Sequence, residues 1–170
     1  MNIAFAAFML MQTVVHMTTP ASPVLPTINI AHTEARPFVE TADAMRDVDL
    51  ALAAAVAGDD KVIVIMGANW CHDSRALAGW FAMPRFATML SGRYQVVYVD
   101  VGTPQTGHGR NLDIAKRFGI KKVKGTPLVM VLSADGKLLN GAKDAASWRN
   151  AASGGEQAIF VTPKGVAATV

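Results

Sequence analysis

Two runs of consecutive apolar residues along the chain predict the centre of a β-sheet. Val62–Met66 is continuous and rich in β-branched residues, and Tyr94–Val101 is a second run of largely apolar character. Runs of this kind are typical of strands that are buried on both faces, as in a parallel sheet covered by helices. We therefore predict two buried central strands.

Apolar residues at helical spacing precede the first of these strands. Between Met45 and Ala55 they recur every three or four positions, which places them on one face of a helix. Thr41 is a residue type that caps helix N-termini, and Gly58 is one that ends helices. We therefore predict a helix that Thr41 caps and Gly58 ends.

Further helices and a hairpin are predicted beyond the first strand. The predicted elements are a helix over 75–81 that Pro84 kinks or stops, a short helix over 112–118 capped by Asn111, a hairpin of Leu128–Leu132 and Lys137–Leu139, and a last helix over 144–152. Alternating strands and helices predict an α/β fold with a mixed central sheet and helices on both faces. Ligands bind at the carboxyl ends of the strands in such sheets, where Cys71 follows the first strand.

The N-terminal segment is set apart from this pattern. Met1–Met11 is almost wholly apolar, and no charged side chain occurs before Glu34. A run of that length fits the core of a signal peptide and is too short to span a bilayer. We predict a signal peptide over 1–21 and export to the bacterial periplasm, with no membrane span left after cleavage. The alternative is an N-terminal segment that stays on the protein and is either buried or frayed.

The other boundaries follow from proline and glycine content. Residues 22–40 predict a linker or an irregular first strand, because proline cannot donate a hydrogen bond to a sheet. Residues 41–152 form the predicted domain, and 153–170 a C-terminal tail. The chain has 170 residues, 51% of them hydrophobic and 17% charged, which suits a single folded domain.

Charge and cysteine content exclude several classes of function. A net charge of +3 without interleaved aromatic residues gives no support for a nucleic-acid partner. The single cysteine, Cys71, excludes an intrachain disulfide and metal sites built from several cysteines. His72 and His108 do not by themselves make a metal site. Any redox chemistry must therefore use one sulfur.

Two short motifs carry a resemblance to a known family. The segment from Trp70 to Ser74 reads Trp-Cys-His-Asp-Ser after a buried strand, and Gly125-Thr126-Pro127 precedes a later strand. Together they resemble the thioredoxin superfamily, in particular its exported members, over residues 41–152. The resemblance implies a thioredoxin fold, a nucleophile at Cys71 preceded by the usual tryptophan, and a cis Thr126–Pro127 bond that docks substrate beside the cysteine.

The sequence departs from that family pattern at two positions. Ser74 stands where the second cysteine of a Cys-x-x-Cys pair is usual, and Ile65 stands where a buried acidic residue is common. The site is therefore a monothiol Cys-x-x-Ser site. The resemblance therefore does not extend to proton handling through a buried carboxylate at position 65.

The chemistry of the segment favours a reactive sulfur. Free amides at a helix N-terminus favour an anion such as a thiolate. A protonated His72 would add to that effect, Asp73 would oppose it, and the Ser74 hydroxyl is expected to donate to the sulfur from one turn away. We predict Cys71 and Ser74 as catalytic residues, and Trp70, His72, Thr126 and Pro127 as substrate-binding residues, with no metal.

A single thiol limits the reaction that follows. Without a second cysteine, a mixed disulfide on Cys71 is released by the other thiol of the substrate or by a small external thiol. These routes are disulfide isomerisation and removal of glutathione adducts. The predicted partners are protein or peptide thiols and disulfides, with no bound cofactor and with glutathione or another small thiol as co-substrate.

Two other interpretations of Cys71 stay open. The chain could be a non-catalytic binding or chaperone-like module of the same fold, or Cys71 could link two copies of an exported chain through a disulfide. A cluster of positive charges (Lys116, Arg117, Lys121, Lys122 and Lys124) also precedes Thr126. It predicts either a solvated helix end and loop or a rim that attracts acidic ligands.

Overall fold

A three-stranded mixed sheet lies at the centre of residues 34–153, the part of the chain that the computed structural model describes. The middle strand is β1 (Lys61–Gly67). The second strand, β2 (Tyr94–Asp100), pairs with β1 in parallel, and the strand of residues Leu128–Leu132 pairs with it antiparallel. The predicted α/β fold with a mixed sheet is confirmed.

Helices and one small hairpin complete the described region. The helices are α1 (Ala44–Gly58), α2 (His72–Ala82), α3 (Pro84–Leu90), α4 (Leu112–Arg117) and α5 (Ala142–Ala145), with 3-10 turns at Pro104–Thr106 and Ser147–Asn150. The hairpin pairs β3 (Gly102–Thr103) with β4 (His108–Gly109), so the antiparallel strand at Leu128–Leu132 is β5.

Alternation along β1 divides the core between the two faces of the sheet. Val62, Val64 and Met66 lie in a cluster with α1 and α4, while Ile63 and Ile65 lie in a second cluster with α2 and α3. All five side chains are fully buried. Because both faces are covered, this strand has the continuous apolar sequence from which it was predicted.

The register brings three chain segments to one edge of the sheet. Gly67 is paired with Asp100, so β1 and β2 end side by side. Met66 is paired with Leu128, the first residue of β5, so Pro127 enters the sheet at that same edge. The loops that follow β1 and β2 and the one that precedes β5 therefore converge there.

The helix before β1 has different caps from those predicted. The side chain of Asp43, rather than Thr41, accepts a hydrogen bond from the amide of Arg46 at 3.1 Å. At the other end, Gly58 is the last helical residue, and Asp59 adopts the left-handed conformation that turns the chain into β1. The carboxylate of Asp43 lies close enough to the first turn to cap it.

The predicted second arm of the last hairpin pairs with the end of β5 over a short stretch and is not a full strand. Leu138 bridges Leu132, the amide of Leu139 donates to the carbonyl of Val131 at 2.8 Å, and the side chain of Asn140 continues the contact with the outer edge of β5. The buried side chain of Asn140 accepts from the amide of Val131 at 2.8 Å and donates to the carbonyl of Val129 at 2.9 Å. The side-chain amide of Asn140 thus takes the place of a peptide group from a neighbouring strand. The alternation of apolar residues along the sequence gives no signal of this contact.

The ends of the described region also differ from the sequence prediction. The helix predicted over 144–152 is the short α5 followed by a 3-10 turn. Residues 34–39 form no strand, yet Phe38 is buried against Tyr98 with ring centroids 5.6 Å apart. The predicted signal peptide, residues 22–33 and residues 154–170 of the tail lie outside the described residues. Within 34–153, the helices are all too short or too polar to cross a bilayer.

Candidate functional site

Cys71 occupies the position immediately before the first turn of α2. Its backbone is extended, its amide donates to the carbonyl of Ala68 at 3.1 Å, and its carbonyl accepts from the amide of Arg75 at 3.1 Å. The side chain is half-buried. The sulfur therefore lies at a helix N-terminus with access to solvent, as the spacing between β1 and the following helix predicted.

The sulfur faces the segment that leads into β5. Sγ of Cys71 lies 3.6 Å from the carbonyl oxygen of Thr126, close enough for the thiol to donate a weak hydrogen bond. The Thr126–Pro127 peptide bond is cis, and both residues are buried. The two motifs are separated by 55 residues in sequence and meet at this contact.

Trp70 joins the cysteine loop to the β3–β4 hairpin. Its indole Nε1 donates to the carbonyl of Gly102 at 2.9 Å, while 49% of the residue stays exposed. The amide of Gly102 in turn donates to the buried carboxylate of Asp100 at 2.8 Å. Asp100 was missed by sequence reasoning, although a carboxylate that ends an apolar strand is a detectable signal.

A second residue missed by sequence reasoning, Arg75, fixes the loop from the other side. Its Nη1 donates to the carbonyls of Asn69 and Trp70, each at 3.0 Å, and its Nε lies 2.6 Å from Oε2 of Glu34. Hydrogen bonding from Arg75 holds the pKa of Glu34 below its ordinary value of 4.5. One guanidinium thus binds three acceptors, two on the cysteine loop and one on the segment before α1.

His72 shares the same carboxylate. Its Nδ1 lies 2.5 Å from Oε1 of Glu34, and its side chain is 68% exposed. The exposed ring lies beside Cys71 in sequence and can meet a ligand there. Its carboxylate partner is 38 positions away, so the sequence pattern gave no signal for this contact.

Asn69 anchors the strand-to-helix loop to the segment before α1. Its side chain donates to the carbonyl of Phe38 at 2.7 Å and accepts from the amide of Phe38 at 3.3 Å. This pair of bonds holds the Phe38 ring over Gly67. A Cβ at Gly67 would lie 2.6 Å from that ring, so the close approach requires glycine.

The expected hydrogen bond from Ser74 to the sulfur is not formed. Ser74 is fully buried, and its hydroxyl has no hydrogen-bond partner among the described residues. It packs against Gly67, where an added Cβ would lie 2.7 Å from its oxygen. The helical geometry of α2 therefore turns the side chain of Ser74 toward the sheet. The sulfur of Cys71 makes its polar contact with the carbonyl of Thr126 instead.

Asp73 is occupied elsewhere. Its carboxylate accepts from the amide of Ala152 at 3.0 Å and so ties α2 to the end of the described region. His108 is exposed on β4, and no cluster of three or more metal-ligating side chains occurs within 34–153. What remains at the site is one accessible sulfur, a cis-prolyl segment beside it and an exposed indole. This arrangement suits attack of a thiolate on an extended disulfide substrate.

Comparisons with known proteins agree with this geometry. A family model described as thioredoxin-like matches residues 43–134. The crystal structure of a disulphide isomerase from Xylella fastidiosa Temecula1 is 32% identical, covers 74% of this chain and 92% of that chain, and superposes with a TM-score of 0.66.

A second solved structure matches a smaller part of the chain. The solution structure of a thioredoxin from Thermus thermophilus is 27% identical over 49% of this chain and 59% of that chain, with a TM-score of 0.38. None of the curated proteins compared with the chain matches it. Since the family model spans more than half of the sequence, from α1 to the end of β5, the chain belongs to the thioredoxin-like family.

Proposed function

We propose that this protein catalyses thiol–disulfide exchange through Cys71 alone, as a disulfide isomerase or as an enzyme that removes glutathione adducts. The observation that carries the proposal is the 3.6 Å contact between Sγ of Cys71 and the carbonyl oxygen of Thr126 at the start of α2. The similarity to a disulphide isomerase supports the same class of reaction.

The first step forms a mixed disulfide. The Cys71 thiolate attacks one sulfur of the substrate disulfide, the S–S bond of the substrate breaks, and its other sulfur leaves as a thiolate that takes up a proton from solvent. Free amides in the first turn of α2 favour the anion before attack. No net oxidation or reduction occurs in this step, since one disulfide replaces another.

The second step releases the enzyme. Ser74 has no thiol, so a second thiolate must come from the substrate, which yields an isomerised disulfide, or from glutathione, which yields glutathione disulfide when the adduct itself was glutathione. In both cases the new S–S bond forms as the Cys71 bond breaks, and Cys71 leaves as a thiolate. Glutathione is therefore a co-substrate in the second route rather than a bound cofactor.

Neighbouring residues position the substrate. The Thr126–Pro127 segment offers its backbone beside the sulfur, and Trp70, which precedes Cys71, exposes about half of its surface to a substrate. The exposed ring of His72, which is paired with Glu34, belongs to the residue that follows Cys71. Ser74 supports the start of α2 by packing and is not a donor to the sulfur.

The decisive experiment measures turnover of a glutathionylated peptide in the presence of free glutathione. We expect release of peptide thiol and glutathione disulfide with the intact protein, and background release with Cys71→Ser. A peptide with a mispaired disulfide tests the isomerase route in parallel. Background rates on both substrates would reject catalysis and favour a binding or chaperone-like module.

Two further parts of the proposal have their own measurements. A half-buried sulfur can also link two copies of the chain, and non-reducing electrophoresis detects a dimer that Cys71→Ser abolishes. Export is supported by the apolar run Met1–Met11, and the mature chain is expected to begin near Ser22. A secreted or periplasmic chain that still starts at Met1 would contradict cleavage.

A further inference from the structure

Two adjoining cavities flank the segment that leads into Thr126. One, of about 350 Å³, lies between the tip of the β3–β4 hairpin and residues 122–125. The other, of about 680 Å³, lies between the same segment and the α5 region. Lys122 and Lys124 line both cavities, and Lys143 and Arg149 line the second. We call this surface the cationic groove, defined by Lys122, Lys124, Lys143 and Arg149.

Among residues 34–153, no neighbouring carboxylate balances the positive charge of the groove. The described residues that line the two cavities include no aspartate or glutamate. Within residues 34–153, none of the four cations forms an ion pair, whereas Arg117, which precedes them in sequence, lies 2.6 Å from Asp49. The fold thus removes Arg117 from the basic cluster that the sequence indicated and adds Lys143 and Arg149 from the chain beyond β5.

Arg149 brings this charge close to the cysteine. Its side chain passes over Gly125, where an added Cβ would lie 3.2 Å from Nε, and this buried Nε has no hydrogen-bond partner among the described residues. The next residue, Thr126, provides the carbonyl that faces the sulfur of Cys71. A peptide bound along the groove therefore reaches the cis-prolyl segment, which lies beside the sulfur of Cys71.

We propose that the cationic groove binds an acidic segment of the polypeptide whose disulfide Cys71 attacks. This inference rests on the proposed exchange reaction and names its substrate class. Unneutralised cations along a groove attract and orient a chain of opposite charge. The described residues that line the groove include no aromatic side chain on which bases could stack, so an acidic peptide fits the surface better than a single-stranded nucleic acid.

Three exposed lysines make the test variant. Lys122→Gln, Lys124→Gln and Lys143→Gln are combined in one protein, and the control combines Arg46→Gln, Arg93→Gln and Lys116→Gln. Both proteins lose the same formal charge, and the control positions are exposed residues outside the groove. Arg149 is left in place because its side chain packs on Gly125.

The substrates are two peptides with the same disulfide, one with acidic flanks and one in which Asn and Gln replace the acidic residues. At low ionic strength we expect the groove variant to react about tenfold more slowly with the acidic peptide and within about twofold of the parent with the neutral one. The control variant is expected to match the parent on both. In about 1 M salt, where the screening length falls to roughly 3 Å, the preference for the acidic peptide should disappear.

Several outcomes would overturn the inference. If the groove variant reacts more slowly with both peptides to the same extent, its substitutions act on the structure. If the control variant is slowed as much as the groove variant, the effect is one of net charge. A loss confined to glutathione mixed disulfides would assign the groove to the carboxylates of glutathione instead. Stronger binding of an oligonucleotide than of the acidic peptide would assign it to nucleic acid.

Binding of an acidic peptide without cysteine separates this inference from the proposed reaction. Fluorescence anisotropy of a labelled peptide should show that the groove variant binds about tenfold more weakly than the control variant. If the parent exchanges neither disulfide peptide but still binds this probe, the proposed reaction fails and the groove stands. If the parent exchanges the disulfide of the neutral peptide and shows no preference for the acidic one, the proposed role of the groove is rejected and the proposed reaction stands.

Discussion

Arg75 connects Glu34 to the loop that carries the cysteine, although 41 positions separate the two charged residues. The guanidinium lies 2.6 Å from the carboxylate and donates to the carbonyls of Asn69 and Trp70. The arginine side chain is 15% exposed, so its bonds are shielded from water better than those of a surface pair.

Replacing Arg75 with Gln is expected to lower the free energy of unfolding by about 2 kcal/mol, because carbonyl and carboxylate groups lose a charged donor. Urea unfolding measures this change. Arg36→Gln is the control, since the exposed Arg36 donates a single bond to the carbonyl of Asn69, and we expect a change within about 0.5 kcal/mol there. Equal losses in the two variants would contradict a specific role for Arg75.

The Glu34 contact predicts a pH dependence of stability at acid pH. Hydrogen bonding and attraction from Arg75 lower the pKa of Glu34 below 4.5, so the folded protein binds a proton at this site less readily than the unfolded chain does. The stabilisation is therefore present above pH 4.5 and lost as pH falls through the lower folded-state pKa.

The variant Glu34→Gln isolates this effect because glutamine does not titrate. We expect the parent to be more stable than the variant at neutral pH, and the gap in urea midpoint to narrow below pH 4.5. Glu40→Gln, which removes an exposed carboxylate paired with Arg110, serves as the comparison. A gap that stays constant at acid pH would contradict the assignment.

The buried hydroxyl of Ser74 predicts that its removal stabilises the protein. A buried polar group without a partner costs about 1–3 kcal/mol, and Ser74→Ala removes it with little change in volume. We expect an increase of about 1 kcal/mol in the free energy of unfolding. Ser133→Ala should act in the opposite direction, because the hydroxyl of Ser133 accepts from the amide of Lys137 at 3.1 Å. Loss of stability in Ser74→Ala would reveal a hydrogen bond at that site.

The variant Ser74→Cys tests whether the site retains the geometry of a two-cysteine relative. Position 74 lies one helical turn after Cys71, so a second thiol that rotates there from the sheet toward the sulfur should resolve mixed disulfides and confer dithiol reductase activity. Reduction of a peptide disulfide, with the oxidised variant identified by its mass, measures this gain. A folded variant without reductase activity would indicate that the side chain at position 74 stays directed toward the sheet and does not reach the sulfur of Cys71.

The close approach of Phe38 to Gly67 predicts a steric cost at that glycine. In Gly67→Ala the new methyl group would lie 2.6 Å from the ring of Phe38, so we expect a loss of about 1–3 kcal/mol. Combining it with Phe38→Leu should recover part of that loss, and a double-mutant cycle measures the coupling. Gly58→Ala, in an exposed helix end, should be neutral or stabilising. Purely additive effects at Gly67 and Phe38 would contradict the contact.

The elements that sequence predicted well are those with a repeating local signal. β1 was found because both of its faces are covered, and β2 because its apolar residues contribute to both core clusters, although three of its seven residues are only partly buried. The helix α1 was found because its apolar residues share one face. The second arm of the predicted hairpin is shorter than a full strand, because beyond Leu139 the side chain of Asn140 bonds to the edge of β5 in place of a peptide group. No periodicity distinguishes that amide from an ordinary loop residue.

The sequence by itself determined the possible chemistry of this protein. One sulfur at Cys71, preceded by a buried strand and followed by a helix, limits redox chemistry to exchange through mixed disulfides, because thiol identity and helix position are local properties. The tertiary structure decided what surrounds that sulfur. Ser74 faces the sheet, Arg75 meets Glu34, and Arg149 lies over Gly125, because these contacts depend on how distant segments pack around the sheet.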